Sequence, residues 1–395
     1  MGQSNDNRRP SPAFHRAGKP LTRAQHQVFS LLFDQTLSAA VLSKGSDMLA
    51  ARILVVLASL GFPAIFAPLL VRARGRIPGW LWTLFAIVIC VIPLAAPWLI
   101  IGVASRLTVW LVAIAGGIVM IKAIDWLARP RKSHDLIRVW LVLTFWPALQ
   151  IEDVAVRLTH PERRMRLILW RAAAGTVSLT SGLALAALGQ SLAIPDRGIF
   201  IDSFWKTIEI YLLAGGSNHL LVGAFALAGY SIQDGFRYPV LAHSILDFWS
   251  RYNVWIHRWL KQHIFVPIGR RRRKPVLGVL AVFGTSGLLH EYLFLPIDRG
   301  LLGLQLGFFL IHGLGAIAAV TLGRAFARIA GRKVPRHLAI PLTLAFVFLT
   351  MPPFIHCLDQ VIDLHRGLGA WVLKMSDPAM PEKLSWILVV NVHAK

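Results

Sequence analysis

The chain is poor in charge. Only 15% of its 395 residues are Asp, Glu, Lys or Arg, where soluble domains carry about 25%. Acidic residues are scarcer still: 19 Asp and Glu stand against 42 Lys and Arg, a formal net charge of +23. So little charge in so apolar a chain excludes a disordered protein, a coiled coil and most soluble enzymes. There are two cysteines, Cys90 and Cys357, both in apolar surroundings. They supply neither a disulfide framework nor a metal-ligand spacing, and read as small buried residues. No metal is expected. A glycine-rich phosphate loop, HExxH, CxxC and GxSxG are all missing. Their absence removes the local signatures of phosphate loops, zinc proteases, dithiol redox sites and nucleophile elbows. A Ser-His-Asp triad built from distant residues stays open, because its members need not be close in sequence.

What is present is hydrocarbon. Hydrophobic residues make up 55% of the chain and the mean hydropathy is +0.58. They fall in runs long enough to cross a bilayer, which takes about 20 residues. Eight such segments are 50–71, 79–103, 107–125, 167–189, 205–231, 276–296, 301–325 and 337–357, with weaker ones at 136–150 and 384–393. The pattern predicts an all-α polytopic bundle of eight to ten spans. Many Trp residues sit near span ends (Trp80, Trp82, Trp110, Trp126, Trp140), as interfacial belts require.

Basic residues cluster between the apolar runs, as in Arg72, Arg74 and Arg76, Arg163, Arg164 and Arg166, and Arg270 to Lys274. That placement fits anionic headgroups and topology rather than nucleic acid. Residues 1–45 lack a signal-peptide core, and Asp6 breaks the myristoylation pattern. They are expected to form a basic tail and interfacial segment, with 46–395 as one membrane-embedded domain. A bacterial cytoplasmic membrane is the expected location, and a homo-oligomer is compatible with the sequence.

Segment 243–266, HSILDFWSRYNVWIHRWLKQHIFV, is too charged to span lipid. Leu246, Trp249, Trp255, Ile256 and Trp259 alternate with Asp247, Arg251, Asn253, His257, Arg258 and Lys261. This is the makeup of an interfacial amphipathic helix. Asn253 could orient a substrate or donate to an oxyanion; as a bare asparagine it could equally cap a helix or face water. The run Arg270, Arg271, Arg272, Arg273 and Lys274 follows. It reads as a topology determinant or as a contact for headgroups or a polyphosphate.

His290 and Glu291 lie deep in the apolar run 276–296. Ionisable groups inside a bilayer are costly and face a cavity or a partner. Ser286 lies four residues before His290, on the same helix face. A neutral histidine suits general-base work near neutral pH, and a structural histidine bonded between helices is the alternative. His312 follows on the next span and could line the same cavity. Lys206 and Glu209 are spaced for an i, i+3 pair.

Three pieces in order carry a family resemblance. Tyr238-Pro239 precedes a helix with Phe248-Trp249, Arg251 and Asn253, which runs into Val266-Pro267-Ile268-Gly269; SGLLHE follows at 286–291 and GFFLIHG at 307–313. Together they resemble the membrane-bound O-acyltransferase (MBOAT) family, closely over 205–315. Asn at 253 with a later Ser…His-Glu resembles the lipid-modifying, wax-synthase-like branch, although Ser250 stands where many relatives carry Arg. The resemblance implies transfer of an acyl group from acyl-CoA to the hydroxyl of a lipid or long-chain alcohol, with no tightly bound cofactor. It implies His290 and Asn253 as the catalytic pair. Trp249, Arg251, Ser286, Glu291 and His312 would meet substrate, and Arg270–Lys274 the CoA phosphates. Two alternatives remain: an O-acetyltransferase for an exported polysaccharide, and a transporter relaying protons through His290 and Glu291.

Overall fold

A computed structural model describes residues 50–128 and 156–375. The expected tail at 1–45 and the weaker segments 136–150 and 384–393 lie outside the described residues. In chain order the helices are α1 (Ala50–Arg72), α2 (Gly79–Ala95), α3 (Arg106–Ala128), α4 (Pro161–Ser191) and α5 (Ile199–Leu227). Two short helices follow, α6 (Ile245–Tyr252) and α7 (Val254–Leu260), then a π-helix over Lys261–Arg271. The chain continues through α8 (Pro275–Phe294), α9 (Leu304–Ala330), α10 (Arg336–Thr350) and α11 (Pro352–Asp359), a one-turn π-helix at Leu364–Gly369, and α12 (Ala370–Met375). Among the described residues seven helical segments are long and apolar enough to cross a membrane, or eight when α10 and α11 count as one span bent by 46°. All eight stronger segments are accounted for. The protein is a multi-pass helical membrane protein, and its β-structure among the described residues is one antiparallel ladder of two residues per strand, Val156–Arg157 (β1) with Tyr230–Ser231 (β2).

Proline sets several boundaries. Pro161, Pro275 and Pro352 open α4, α8 and α11 at the first turn, where a missing N–H costs nothing. Pro352 and Pro353 give α10 no N–H groups with which to continue its ladder, so the axis turns there. Glycine sets the contact between α4 and α5. A Cβ on Gly175 of α4 would lie 2.7 Å from Leu220 and 3.1 Å from the Gly216 carbonyl of α5; one on Gly216 would lie 2.7 Å from Leu179. Small residues let two backbones meet where lipid offers no hydrophobic drive for association.

An acidic cluster sits at one end of the bundle. Near the start of α5, Lys206 Nζ binds Asp202 at 2.8 Å and Asp359 of α11 at 2.7 Å. Glu209 accepts from Nε2 of His365 at 2.8 Å, and His365 Nδ1 lies 3.1 Å from Asp202. The expected Lys206–Glu209 pair is therefore replaced, by Asp202 and Asp359 for Lys206 and by His365 for Glu209. Burial is the reason: Glu209 and His365 are both fully buried, and a charge taken out of water must find its counterpart wherever packing brings one. Asp298, Arg299, Asp363 and Arg366 belong to this end, with Arg106 reaching Gln360. The opposite end carries Arg72, Arg74 and Arg76 after α1, Arg163, Arg164 and Arg166 at the start of α4, Arg270–Lys274 before α8, and Arg328, Arg332 and Lys333 around the end of α9. Arg164 joins the start of α4 to the end of α5 there, through the Ala226 carbonyl at 2.9 Å.

The two cysteines are free, Cys357 buried and Cys90 half-buried.

Candidate active site

Segment 243–266 does not form one helix. Ser244 caps α6 by accepting from the Asp247 N–H at 3.1 Å. The helix then stops at Tyr252. Asn253 takes φ −141° and ψ 85°, and its Oδ1 accepts from the Ile256 N–H at 3.2 Å to start α7. Asparagine suits this position because its side-chain oxygen replaces the missing helical acceptor.

The break opens onto a cavity of about 300 Å³. Trp249, Tyr252, Asn253, His257 and Lys261 line it from the α6–α7 side. Phe283, Ser286 and His290 face it from α8, Phe309 from α9 and Phe354 from α11. Four predicted residues distant in sequence, Trp249, Asn253, Ser286 and His290, thus share one lining.

His290 donates from Nδ1 to the Ser286 carbonyl at 2.8 Å. A carbonyl only accepts, so the proton sits on Nδ1 and Nε2 keeps its lone pair. The ring packs against Phe309, centroids 4.4 Å apart, and lies 6.1 Å from Phe354. Glu291 does not pair with it. Its Oε1 accepts from the Gly303 N–H at 2.6 Å and its Oε2 from the Leu306 N–H at 2.9 Å. Both N–H groups open α9, so the carboxylate closes an otherwise unsatisfied helix N-terminus. Glu291 is a joint between α8 and α9, outside the cavity lining.

Asn253 offers the complementary group. With Oδ1 committed to the cap, its Nδ2 amide makes no hydrogen bond among the described residues, and Asn253 is exposed and lines the cavity. Beside it, burial pushes the Tyr252 phenol up to about 12, so Tyr252 is a neutral hydroxyl at ordinary pH.

Other predicted residues stand further back. His312 is fully buried behind Trp249: it accepts from the indole N–H at 3.0 Å, and its Nε2 meets the Thr350 hydroxyl at 2.8 Å. That hydroxyl donates to the Phe346 carbonyl at 2.8 Å, leaving its oxygen to accept from His312. Arg251 donates to Asp247 at 2.7 Å and lies outside the cavity lining. Burial works to raise the Asp247 carboxyl, but its bonds to Arg251 and His243 hold it below the usual carboxylate range. Arg270–Lys274 are exposed at the end of the π-helix and do not line the cavity. Of the basic residues, Lys261 and His257 do, and burial, with Lys261 and Arg258, holds His257 toward its neutral form.

A second cavity of about 280 Å³ adjoins the first, sharing Tyr252 and Phe354 as its wall. Its lining is hydrocarbon and aromatic, from Ile208 and Ile210 of α5, Phe248 of α6, Leu344 and Phe348 of α10 and Ile355 of α11. Tyr252, Phe309, Phe354 and this second cavity were not predicted. Phe309 and Phe354 stand in motifs with a histidine (FFLIH, PPFIH), but an apolar residue in an apolar span carries no signal of which face it presents.

Residues 199–297 match the model of MBOAT, the membrane-bound O-acyltransferase family, and contain Trp249, Asn253, Ser286 and His290. An acyl-CoA–sterol O-acyltransferase of Arabidopsis thaliana is 29% identical over 214 residues, covering 49% of this chain and 59% of the relative. A long-chain-alcohol O-fatty-acyltransferase of Simmondsia chinensis is 31% identical over 162 residues, 38% of this chain and 44% of the relative. A probable alginate O-acetylase of Pseudomonas fluorescens is 24% identical over 104 residues, 25% and 21% respectively. The chain therefore spans between about a fifth and three fifths of the length of these curated relatives. The match over residues 199–297 covers the motifs at 238–291 on which the resemblance rests.

Proposed function

We propose that the protein is a membrane O-acyltransferase that moves an acyl group from acyl-CoA to the hydroxyl of a lipid or long-chain alcohol. The observation that carries the reading is one cavity holding a free imidazole lone pair, on His290 Nε2, and a free amide donor, on Asn253 Nδ2.

His290 Nε2 takes the acceptor's hydroxyl proton as its oxygen attacks the thioester carbonyl. Asn253 Nδ2–H donates to the oxyanion that forms. Collapse breaks the C–S bond, expels the thiolate and returns the proton from His290, giving an ester and free thiol. No acyl-enzyme is needed. Phe283, Phe309 and Phe354 keep water away from the thioester. The adjoining apolar cavity supports a hydrocarbon chain on one substrate. The plant relatives named for sterol and long-chain alcohol acylation support the same class.

The ends of the bundle suggest an orientation. The Arg-rich end faces the cytoplasm by the positive-inside rule. On this reading the π-helix runs from Lys261, at the cavity, to the exposed Arg270–Lys274, where CoA phosphates would be held. The proposed setting is a bacterial cytoplasmic membrane, a reading the bacterial alginate O-acetylase relatives support. Those relatives also favour the second reading, acetylation of an exported polysaccharide. A proton relay is disfavoured, because both oxygens of Glu291 are already taken.

Purified wild type and His290→Ala, given mixed-length acyl-CoAs and a lipid extract, test this by mass spectrometry. A new ester made by wild type and missing with the variant is expected. Equal ester formation by both would sink the mechanism. No acyl-CoA consumption by wild type would move the assignment to the polysaccharide reading.

A further inference from the structure

The break at Asn253 is not made by α6 and α7 alone. The loop after β2 runs beside it. The Arg237 N–H donates to the Arg251 carbonyl at 2.8 Å, and the Val254 N–H donates to the Gly235 carbonyl at 2.9 Å. These two bonds bracket Tyr252 and Asn253. One satisfies a carbonyl freed at the end of α6, the other an N–H freed at the start of α7. The Trp255 ring lies on Gly235 so closely that a Cβ there would be 3.0 Å from it.

This loop is in turn tied to the α4–α5 pair. Asn218 of α5 accepts from the Gly235 N–H at 2.8 Å and donates to Asp234 at 3.0 Å. Asp234 receives both terminal nitrogens of Arg171 from α4, at 2.7 and 2.9 Å. Arg171 also donates to Nδ1 of His219 at 3.0 Å. A bidentate guanidinium–carboxylate pair fixes direction as well as distance. It sits on the α4–α5 pair, whose backbones meet at Gly175 and Gly216.

We propose that Arg171, Asp234 and Asn218 are positioning residues for Asn253. They act on turnover through the Gly235–Arg237 segment, which holds the helix break, and touch no reacting atom. The proposal rests on the acyl-transfer reading for its effect on rate. A misplacement of about 1 Å at a reacting group can cost on the order of a hundredfold.

Asp234→Asn, nearly isosteric, removes the bidentate pair; Asn218→Ala cuts the link to Gly235 and leaves that pair in place. Each should lower kcat by about ten- to a hundredfold with KM unchanged. In the Asn253→Ala background neither should lower kcat further, because the group they position is gone. An equal fall in both backgrounds would overturn the proposal, since a purely structural loss acts regardless of Asn253. Hydrogen exchange in detergent gives a readout independent of activity. The amides of Arg237, Val254 and Ile256 should exchange faster in both variants while those of 205–214 hold. Unchanged exchange at these three amides would overturn the proposal even if wild type transferred no acyl group. Faster exchange in an inactive wild-type background would instead uphold the positioning and fault the acyl-transfer reading.

Discussion

Trp249 gives its indole N–H to Nδ1 of His312 at 3.0 Å, and His312 passes its own proton to Thr350 at 2.8 Å. Every member of this chain is satisfied, and its far end is the Phe346 carbonyl. The imidazole therefore has no free nitrogen for chemistry. What it does is hold one wall of the cavity, because Trp249 lines it and His312 does not.

His312→Phe should accordingly behave as a stability variant. It leaves the buried indole N–H without an acceptor, at a cost of about 1–3 kcal/mol. The expected result is a lowered melting temperature with residual transfer and the wild-type pH profile. His290→Ala should do the reverse, keeping thermal stability and losing transfer. A melting temperature unmoved by His312→Phe would refute the anchoring role.

Glu291 separates structure from chemistry in the same way. Removing its carboxylate strands two backbone N–H groups at the start of α9. Charge-assisted bonds of this kind are worth about 1.5–3 kcal/mol each. Glu291→Ala should fail to give monodisperse protein on gel filtration, and Glu291→Gln, which keeps one acceptor, should be intermediate. A well-folded Glu291→Ala with lost transfer would return Glu291 to the catalytic set.

These contrasts mark what the sequence could disclose. The spans were legible because hydropathy over twenty residues is a bulk property, and His290 because a lone imidazole in hydrocarbon is conspicuous. Glu291 stood out for the same reason, but its role depends on where the next helix begins, which local pattern does not encode. The break at Asn253 was hidden for a related cause. The apolar and charged residues of 243–266 continue in phase across it, and it exists only because Gly235 and Arg237 arrive from another part of the chain. Lys206 and Glu209 looked like a local pair until Asp359 and His365, some 150 residues away, supplied partners that no spacing rule could anticipate.

That buried cluster sets a pH limit. Burial works against a charged His365, but its bonds to Asp202 and Glu209 dominate and raise it to about 9; Lys206 opposes them, and Asp359, Asp363 and Arg366 complete the nearby charges. A group raised above its unfolded value of about 6.5 stabilises fully below that pH and loses its contribution as pH rises through about 9. The melting temperature should fall between pH 7 and 10. His365→Gln should start lower and fall less over the same window. Parallel slopes for the two proteins would exclude His365 as the cause.

Asn253 gives the sharpest division between cap and catalyst. Its Oδ1 holds the start of α7 and its Nδ2 is left free on a residue that lines the cavity, so on the proposed mechanism one side chain serves both tasks with different atoms. Asn253→Asp keeps the first and destroys the second. Aspartate is as good an N-cap as asparagine and is favoured by the helix dipole. Yet it has no amide to donate, and its charge would repel a developing oxyanion. Loss of one such donor costs about a hundred- to a thousandfold in kcat. Asn253→Asp should therefore express and melt like wild type while turnover collapses by at least that factor. Asn253→Ala should lose turnover and also about 1 kcal/mol of stability with the cap. If Asn253→Asp transfers acyl groups at the wild-type rate, the amide donates to nothing in the reaction, and Asn253 is a cap alone.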